Sequence, residues 1–197
     1  MDRATLKEAA KSQIKGNIGI LFVLSLIIGL VGGLVGCIPV IGSIASAVVL
    51  VPAFSLAMIY IYLNLIDGVK PEVKDLFAHI QEFWGAFKVT FLVSLFTGLW
   101  SMLFFIPGIV KACSYSQAMY ILAENPGIGA REAINRSKAM MEGHKMEYFI
   151  LGLSFIGWAI VGSFTFGILY IWLIPYMNAT FANFYANLKN TEPVAGF

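Results

Sequence analysis

What this sequence lacks most is charge. No Asp, Glu, Lys or Arg occurs from Gly16 to Ile66, a run of 51 residues, or from Tyr148 to Leu188, a run of 41. A water-soluble domain cannot cover that much apolar backbone, so both stretches are expected in lipid, where about 20 residues make one crossing helix. Cysteine is nearly absent as well. Cys37 and Cys113 form neither a disulfide framework nor a metal-ligand spacing. The two histidines, His79 and His144, have no Cys or carboxylate at metal-ligand spacing, and no HExxH, GxSxG or phosphate-loop pattern occurs. The expectation is therefore no catalytic residues, no metal, no cofactor and no enzyme. A net charge of only +2, without a basic block interleaved with aromatics, argues against a nucleic-acid partner.

What is present is apolar: 59% of the residues are hydrophobic and 12% charged, the balance of a polytopic membrane protein. Each long uncharged run is about two crossings in length and has turn residues near its middle, Cys37 to Ser43 in one and Gly162 to Gly167 in the other. A third run, Val89 to Val110, is interrupted by Lys111 and resumes from Ala112 to Ala123, with Ile106-Pro107-Gly108 as its turn. The reading is an all-α protein with about six membrane segments, 17–36, 44–66, 88–105, 108–123, 147–162 and 168–188, arranged as three helical hairpins. The arms of the 88–123 pair are short for full crossings and leave a re-entrant course open. A cleavable signal peptide ending near Ala45-Ser46-Ala47 is the competing reading of the N-terminal part, but the apolar run is too long for one.

Every charged residue except Lys111 falls in the N-terminal segment, in 67–88, in 124–147 or at the C-terminus, which all share one side. The positive-inside rule places that side in the cytoplasm, with both termini, in a multi-pass protein of the cell membrane. Each hairpin is preceded by a short amphipathic helix on that side. In the first, Thr5 to Glu8 reads as a capping box, and Arg3, Lys7, Lys11 and Lys15 form a basic stripe opposite Leu6, Ala10 and Ile14. The second follows Pro71, with Val73, Leu76, Phe77, Ile80, Phe83 and Trp84 at helical spacing; the third buries Ala130, Ala133, Ile134, Ser137, Met140 and Met141. Gly16, Gly85 and Gly143 are expected to end the three helices. Pro52 and Pro175 are each followed ten residues on by a tyrosine, Tyr62 and Tyr185, and twelve on by an asparagine, Asn64 and Asn187. The chain is thus one membrane domain, 1–197, with possible repeat units 1–67, 68–125 and 126–190.

Lys111 is the one ionisable group inside a segment, and it either snorkels to headgroups or shares a polar cavity with Ser114, Tyr115, Ser116 and Gln117 as a ligand or lipid contact. Gly29, Gly32, Gly33 and Gly36 form small-xxx-small pairs suited to helix packing, within the chain or in a homo-oligomer. Pro52, Pro107, Gly108 and Pro175 are the candidate hinges or turns. Leu99-Trp100, Ile106-Pro-Gly-Ile109 with Lys111, Tyr115-Ser116 and Tyr120 to Pro126 are followed by Ser137-Lys138, Met141, Gly143, Leu153 to Trp158, Trp172, Pro175-Tyr176 and Tyr185. In this order and spacing the chain resembles the bacterial integral membrane family known as domain of unknown function 975. The resemblance implies a polytopic membrane protein of a Gram-positive-type bacterium or relative and carries no chemistry. The leading expectation is a non-enzymatic scaffold that engages membrane lipids or a membrane partner, in membrane maintenance, stress or immunity. The alternative is a small transporter or channel with its polar cavity near Lys111.

Overall fold

The computed structural model describes residues 3–37, 46–103, 105–165 and 167–191. All the regular structure in it is helical: α1 (Arg3–Ile14), α2 (Ile18–Gly36), α3 (Val51–Ile66), α4 (Asp75–Ala78), α5 (Phe83–Leu103), α6 (Phe105–Tyr115), α7 (Ala118–Glu124), α8 (Ala130–Met140), α9 (Lys145–Phe164) and α10 (Tyr170–Thr191). Single turns of π- and 3-10-helix, Ser46–Leu50 and Ile80–Glu82, lead into α3 and α5. In chains rich in apolar runs a helix satisfies its own backbone, which lipid cannot do.

Two of the expected amphipathic helices form with the apolar faces read for them, although the first already runs from Arg3, so Thr5 lies inside it and is not its cap. Leu6, Ala10 and Ile14 of α1 are buried, and α1 lies along α10. In α8, Ala133, Ile134, Ser137 and Met140 are buried, with Met141 just beyond, while Arg131, Glu132 and Asn135 are exposed. Gly16 and Gly143 take φ of +92° and +84°, the left-handed turn a glycine permits after a helix.

The second amphipathic helix does not form over its predicted length. Contacts to α3 interrupt it: the His79 ring stacks on Tyr60 at 3.6 Å between centroids, and Tyr60 Oη donates to Glu82 Oε2 at 2.7 Å. Held at both points, the segment breaks into α4 and the 3-10 turn. Gly85 is consequently not a terminator; it lies inside α5, where an added Cβ would sit 3.3 Å from Leu122 Cδ1.

The segment 108–123 is also not one helix. It divides into α6 and α7, which together retrace α5 in the opposite direction. Gly108 lies against Ser101, Phe96 faces Tyr115 with ring centroids 6.4 Å apart, Thr90 Oγ1 donates to Met119 Sδ at 3.8 Å, and Gly85 meets Leu122. Ser137 of α8 spans the break. Its Oγ donates to the Ser114 carbonyl at 2.8 Å and accepts from the Gln117 N–H at 3.2 Å, so two backbone groups at the interruption are satisfied by one hydroxyl. Pro107 sits in the first turn of α6, where its missing N–H is harmless, and is not a turn residue.

α10 is the central helix, packed by α1, α2, α3 and α9. Asn183 and Gln13 exchange two amide hydrogen bonds, of 3.1 and 2.6 Å, and Asn183 also donates to the Ala179 carbonyl. α9 runs antiparallel to α10, with Tyr148 against Phe184, Phe155 against Tyr176, and Gly162 against Tyr170. Among the described residues four helices are long and apolar enough to cross a membrane: Ile18–Val35, Val48–Ile66, Phe83–Met102 and Lys145–Phe164. α10 is not among them because Asn178, Thr180, Asn183 and Asn187 dilute its apolar character.

Burial is uneven along the helices. Packed side chains gather near the charged segments: Ala86, Val89, Ala118, Ile121, Leu122, Met140, Met141, Phe184, Tyr185 and Leu188 are all nearly inaccessible. At the opposite ends Leu34 is 73% exposed, Met102 88% and Phe164 81%. The molecule is a dense charged-side layer bearing an open apolar crown.

Two stability predictions follow from these contacts. Ser137→Ala leaves a buried carbonyl and N–H unpaired and is expected to lower stability by about 1–3 kcal/mol, read as earlier loss of the monodisperse detergent-solubilised species on heating, with exposed Asn135→Ala unchanged. Gly108→Val forces a side chain into the Ser101 backbone and should cost at least about as much, since overpacking costs roughly 1–3 kcal/mol.

Candidate functional site

A cavity of about 440 Å³ with polar side chains at one end lies between α2 and α3. Ile28 and Gly32 of α2 and Phe54 and Met58 of α3 form its sides, and Tyr62, Tyr120 and Asn178 close its inner end. α3 brings Tyr62, α7 brings Tyr120 and α10 brings Asn178, so the break that creates α7 is also what delivers Tyr120. Among the described residues no acidic or basic side chain lines the space.

Tyr62 is 3% exposed, and its Oη is closed off beside the Asn178 side chain. Tyr120 stacks on Tyr185 at 5.1 Å, and Tyr185 Oη donates to Glu124 Oε2 at 2.8 Å. Lys189 Nζ reaches the same carboxylate oxygen at 2.8 Å. The inner wall is therefore anchored to the charged-side layer by a stacked pair, a charge-assisted hydrogen bond and an ion pair. Such a space can hold an apolar chain.

The expected ligand contacts lie elsewhere and do not converge. Lys111 Nζ stands over the Trp100 ring at 5.0 Å, a cation–π contact with the antiparallel α5. Ser114 Oγ donates to the Val110 carbonyl, Ser116 Oγ to the Cys113 carbonyl, and Gln117 Nε2 to Ser116 Oγ. Ser114, Tyr115 and Gln117 are buried at the α6–α7 break, with Lys138 Nζ 5.6 Å from the Tyr115 ring. These residues serve the junction with α8, while Lys111 faces α5.

Gly29, Gly32 and Gly33 have nothing among the described residues within 4 Å of where a Cβ would stand, and Gly32 borders the cavity. α2 leans on α10 rather than on α3. Residues 38–45, which hold the turn expected after Cys37 and most of the small-residue partner for this stripe, lie outside the described residues. Pro52 begins α3, and Pro175 is buried inside an α10 that continues past it.

On the charged side, His79 Nδ1 lies 3.3 Å from Glu82 Oε1, completing a Tyr60–Glu82–His79 cluster. Lys7 Nζ lies 4.6 Å over the Phe155 ring, and burial, with Arg3 nearby, pushes the Lys7 ammonium below its ordinary value. Among the described residues no three His, Cys, Asp or Glu side chains gather as a metal site.

Sequence reasoning passed over Tyr62, Tyr120 and Asn178 as site residues. The usable signal was the repeated proline-to-tyrosine spacing, because its two tyrosines, Tyr62 and Tyr185, both border Tyr120 in the fold.

No curated protein and no solved structure matches this chain. A family described as "Protein of unknown function (DUF975)" matches residues 1–114 and 105–192. With essentially the whole length covered, the chain belongs to that family.

Proposed function

We propose that this is a non-enzymatic, multi-pass protein of the bacterial cytoplasmic membrane that engages lipid from the cytoplasmic leaflet, in a membrane-maintenance, stress or immunity role. The observation that carries this reading is the division between a packed charged-side layer and an apolar crown whose ends only lipid can cover. The amphipathic helices α1 and α8 spend their apolar faces on protein. Exposed Phe77 and Trp84, beside the start of α5, are left for the headgroup region.

In this reading α2, α3, α9 and α10 cross, and α5–α6 does not. Arg131 borders a cavity with Phe87, Phe91 and Leu92, so the charged face of α8 flanks the first half of α5. Beyond Leu92 the helix has about 11 residues, or about 17 Å, against an apolar thickness of about 30 Å. Ile106, Ile109 and Cys113 share a cavity with Lys145, Met146 and Phe149, the first turns of α9, which rises about 22 Å further to Phe164. The α5–α6 tip is thus a re-entrant wedge that ends inside the bilayer. Both termini and all the charged segments share the cytoplasmic side, in accord with the positive-inside rule.

Single cysteines in a Cys37→Ser, Cys113→Ser background test the topology. A cysteine replacing Ser163 should react with an impermeant thiol reagent applied to intact cells, while those replacing Ile106, Gln81 and Asn135 should not. Reaction at Ile106 equal to that at Ser163 would make α5–α6 a full crossing, and reaction at Gln81 or Asn135 would reverse the orientation. For the role itself, a strain lacking the protein should show altered lipid composition or raised sensitivity to membrane-active peptides, restored by the wild-type gene. An unchanged lipid profile together with unchanged sensitivity would remove the maintenance role.

A further inference from the structure

A groove of about 470 Å³ runs between the first half of α5 and the start of α8. Phe87, Phe91 and Leu92 supply its apolar surface, and Lys88 and Arg131, from two different helices, supply its charge. We infer that it holds one anionic phospholipid of the cytoplasmic leaflet, with the phosphate between Lys88 and Arg131 and an acyl chain along α5. The inference rests on the lipid-engaging role proposed above and names the lipid class.

Charge selects the headgroup. Lys88 is the one charged residue of α5, and both it and Arg131 are exposed, with no carboxylate at ion-pair distance among the described residues. Glu132, the acid next to Arg131, is engaged by Arg136 at 2.7 Å. A phosphodiester would neutralise two cations that the protein leaves unpaired, whereas a zwitterionic choline headgroup would bring a third cation beside them.

The rest of α5 selects the chain. Phe91, Leu95 and Leu99 recur every four residues, share one face of the helix and are exposed, so the groove opens onto a continuous apolar stripe. From Leu92 to the end of α5 is about 17 Å, close to the roughly 15 Å of hydrocarbon in one leaflet. Phe87 stacks on Phe91 at 6.0 Å between ring centroids, and exposed Trp84 stands one turn before Lys88, as aromatic side chains do at headgroup depth. A soluble anion would leave the stripe uncovered. A phospholipid meets the charge and covers the stripe together.

The test uses the full chain in phosphatidylcholine nanodiscs holding a trace of either phosphatidylglycerol or phosphatidylcholine that carries a photoactivatable diazirine on one acyl chain. The ratio of the two cross-linking yields on peptides within residues 83–103 reads the headgroup preference. It should favour phosphatidylglycerol, falling about fivefold in Lys88→Gln, about fivefold in Arg131→Gln and to near parity in the double variant. The melting temperature should hold, because both side chains are exposed. Lys11→Gln with Lys70→Gln removes the same charge from the charged side, also at exposed positions, and should leave the ratio unchanged. Equal yields from the two probes in the unmodified chain would make this surface a general lipid boundary, and absence of both labels would mean that protein covers it. Either result overturns the inference, as would a preference kept in the double variant or lost equally in the Lys11 and Lys70 control. The thiol-labelling pattern is independent of this result. Failure of the preference with the predicted topology intact refutes the site alone, whereas labelling of Gln81 or Asn135 from outside refutes the membrane reading beneath it.

Discussion

The hydrophobic effect acts only where water is, and the shape of this protein follows from where its charges admit water. Between helices surrounded by lipid there is no apolar driving force, because acyl chains are as apolar as leucine. Near the charged segments there is, and that is where α1, α7, α8 and the ends of α3, α5 and α10 bury their side chains to near-zero accessibility. The same physics explains why residues such as Met102 and Phe164 remain uncovered by protein. Rigidity is therefore concentrated at one end of the molecule, and the apolar arms extend from it.

A rigid base also makes helix interruptions affordable. The break between α6 and α7 exposes backbone groups that would be expensive in lipid, yet it sits beside α8, where Ser137 answers both sides of it. The gain is positional: α7 turns Tyr120 toward Tyr185 and toward the inner end of the α2–α3 cavity. α10 works in a comparable way. Its asparagines weaken it as a lipid-facing helix, but Asn183 is paired with Gln13, and Asn178 faces the cavity. These two asparagines are thus covered by protein or aimed at an internal space, which is the arrangement expected when an unsatisfied polar group in hydrocarbon is costly.

Much was legible in the sequence because it depended on local pattern. The amphipathic faces of α1 and α8, the terminating roles of Gly16 and Gly143, and the apolar extent of α2, α3 and α9 all come from spacing within one element. The misreadings share one cause. Residues 71–84 have helical spacing, but Tyr60 captures His79 and Glu82 and divides them. Gly85 has the look of a helix stop, but Leu122 crosses so close that glycine is wanted there for space. Each case turns on a contact with a residue at least 19 positions away in sequence.

By itself, then, the sequence determined that this chain is helical and apolar and that its charges stand outside its two longest apolar runs, because both the backbone's need for hydrogen bonds and the cost of burying charge are read one residue at a time. It also carried the proline-to-tyrosine spacing whose meaning appears only in three dimensions. Tertiary structure alone decided that residues 108–123 divide into two helices, that Lys111 meets Trp100 and not the serines beside it, and that Tyr62, Tyr120 and Asn178 meet at one cavity. Those outcomes depend on which helices touch, and no periodicity along a single chain specifies its partner.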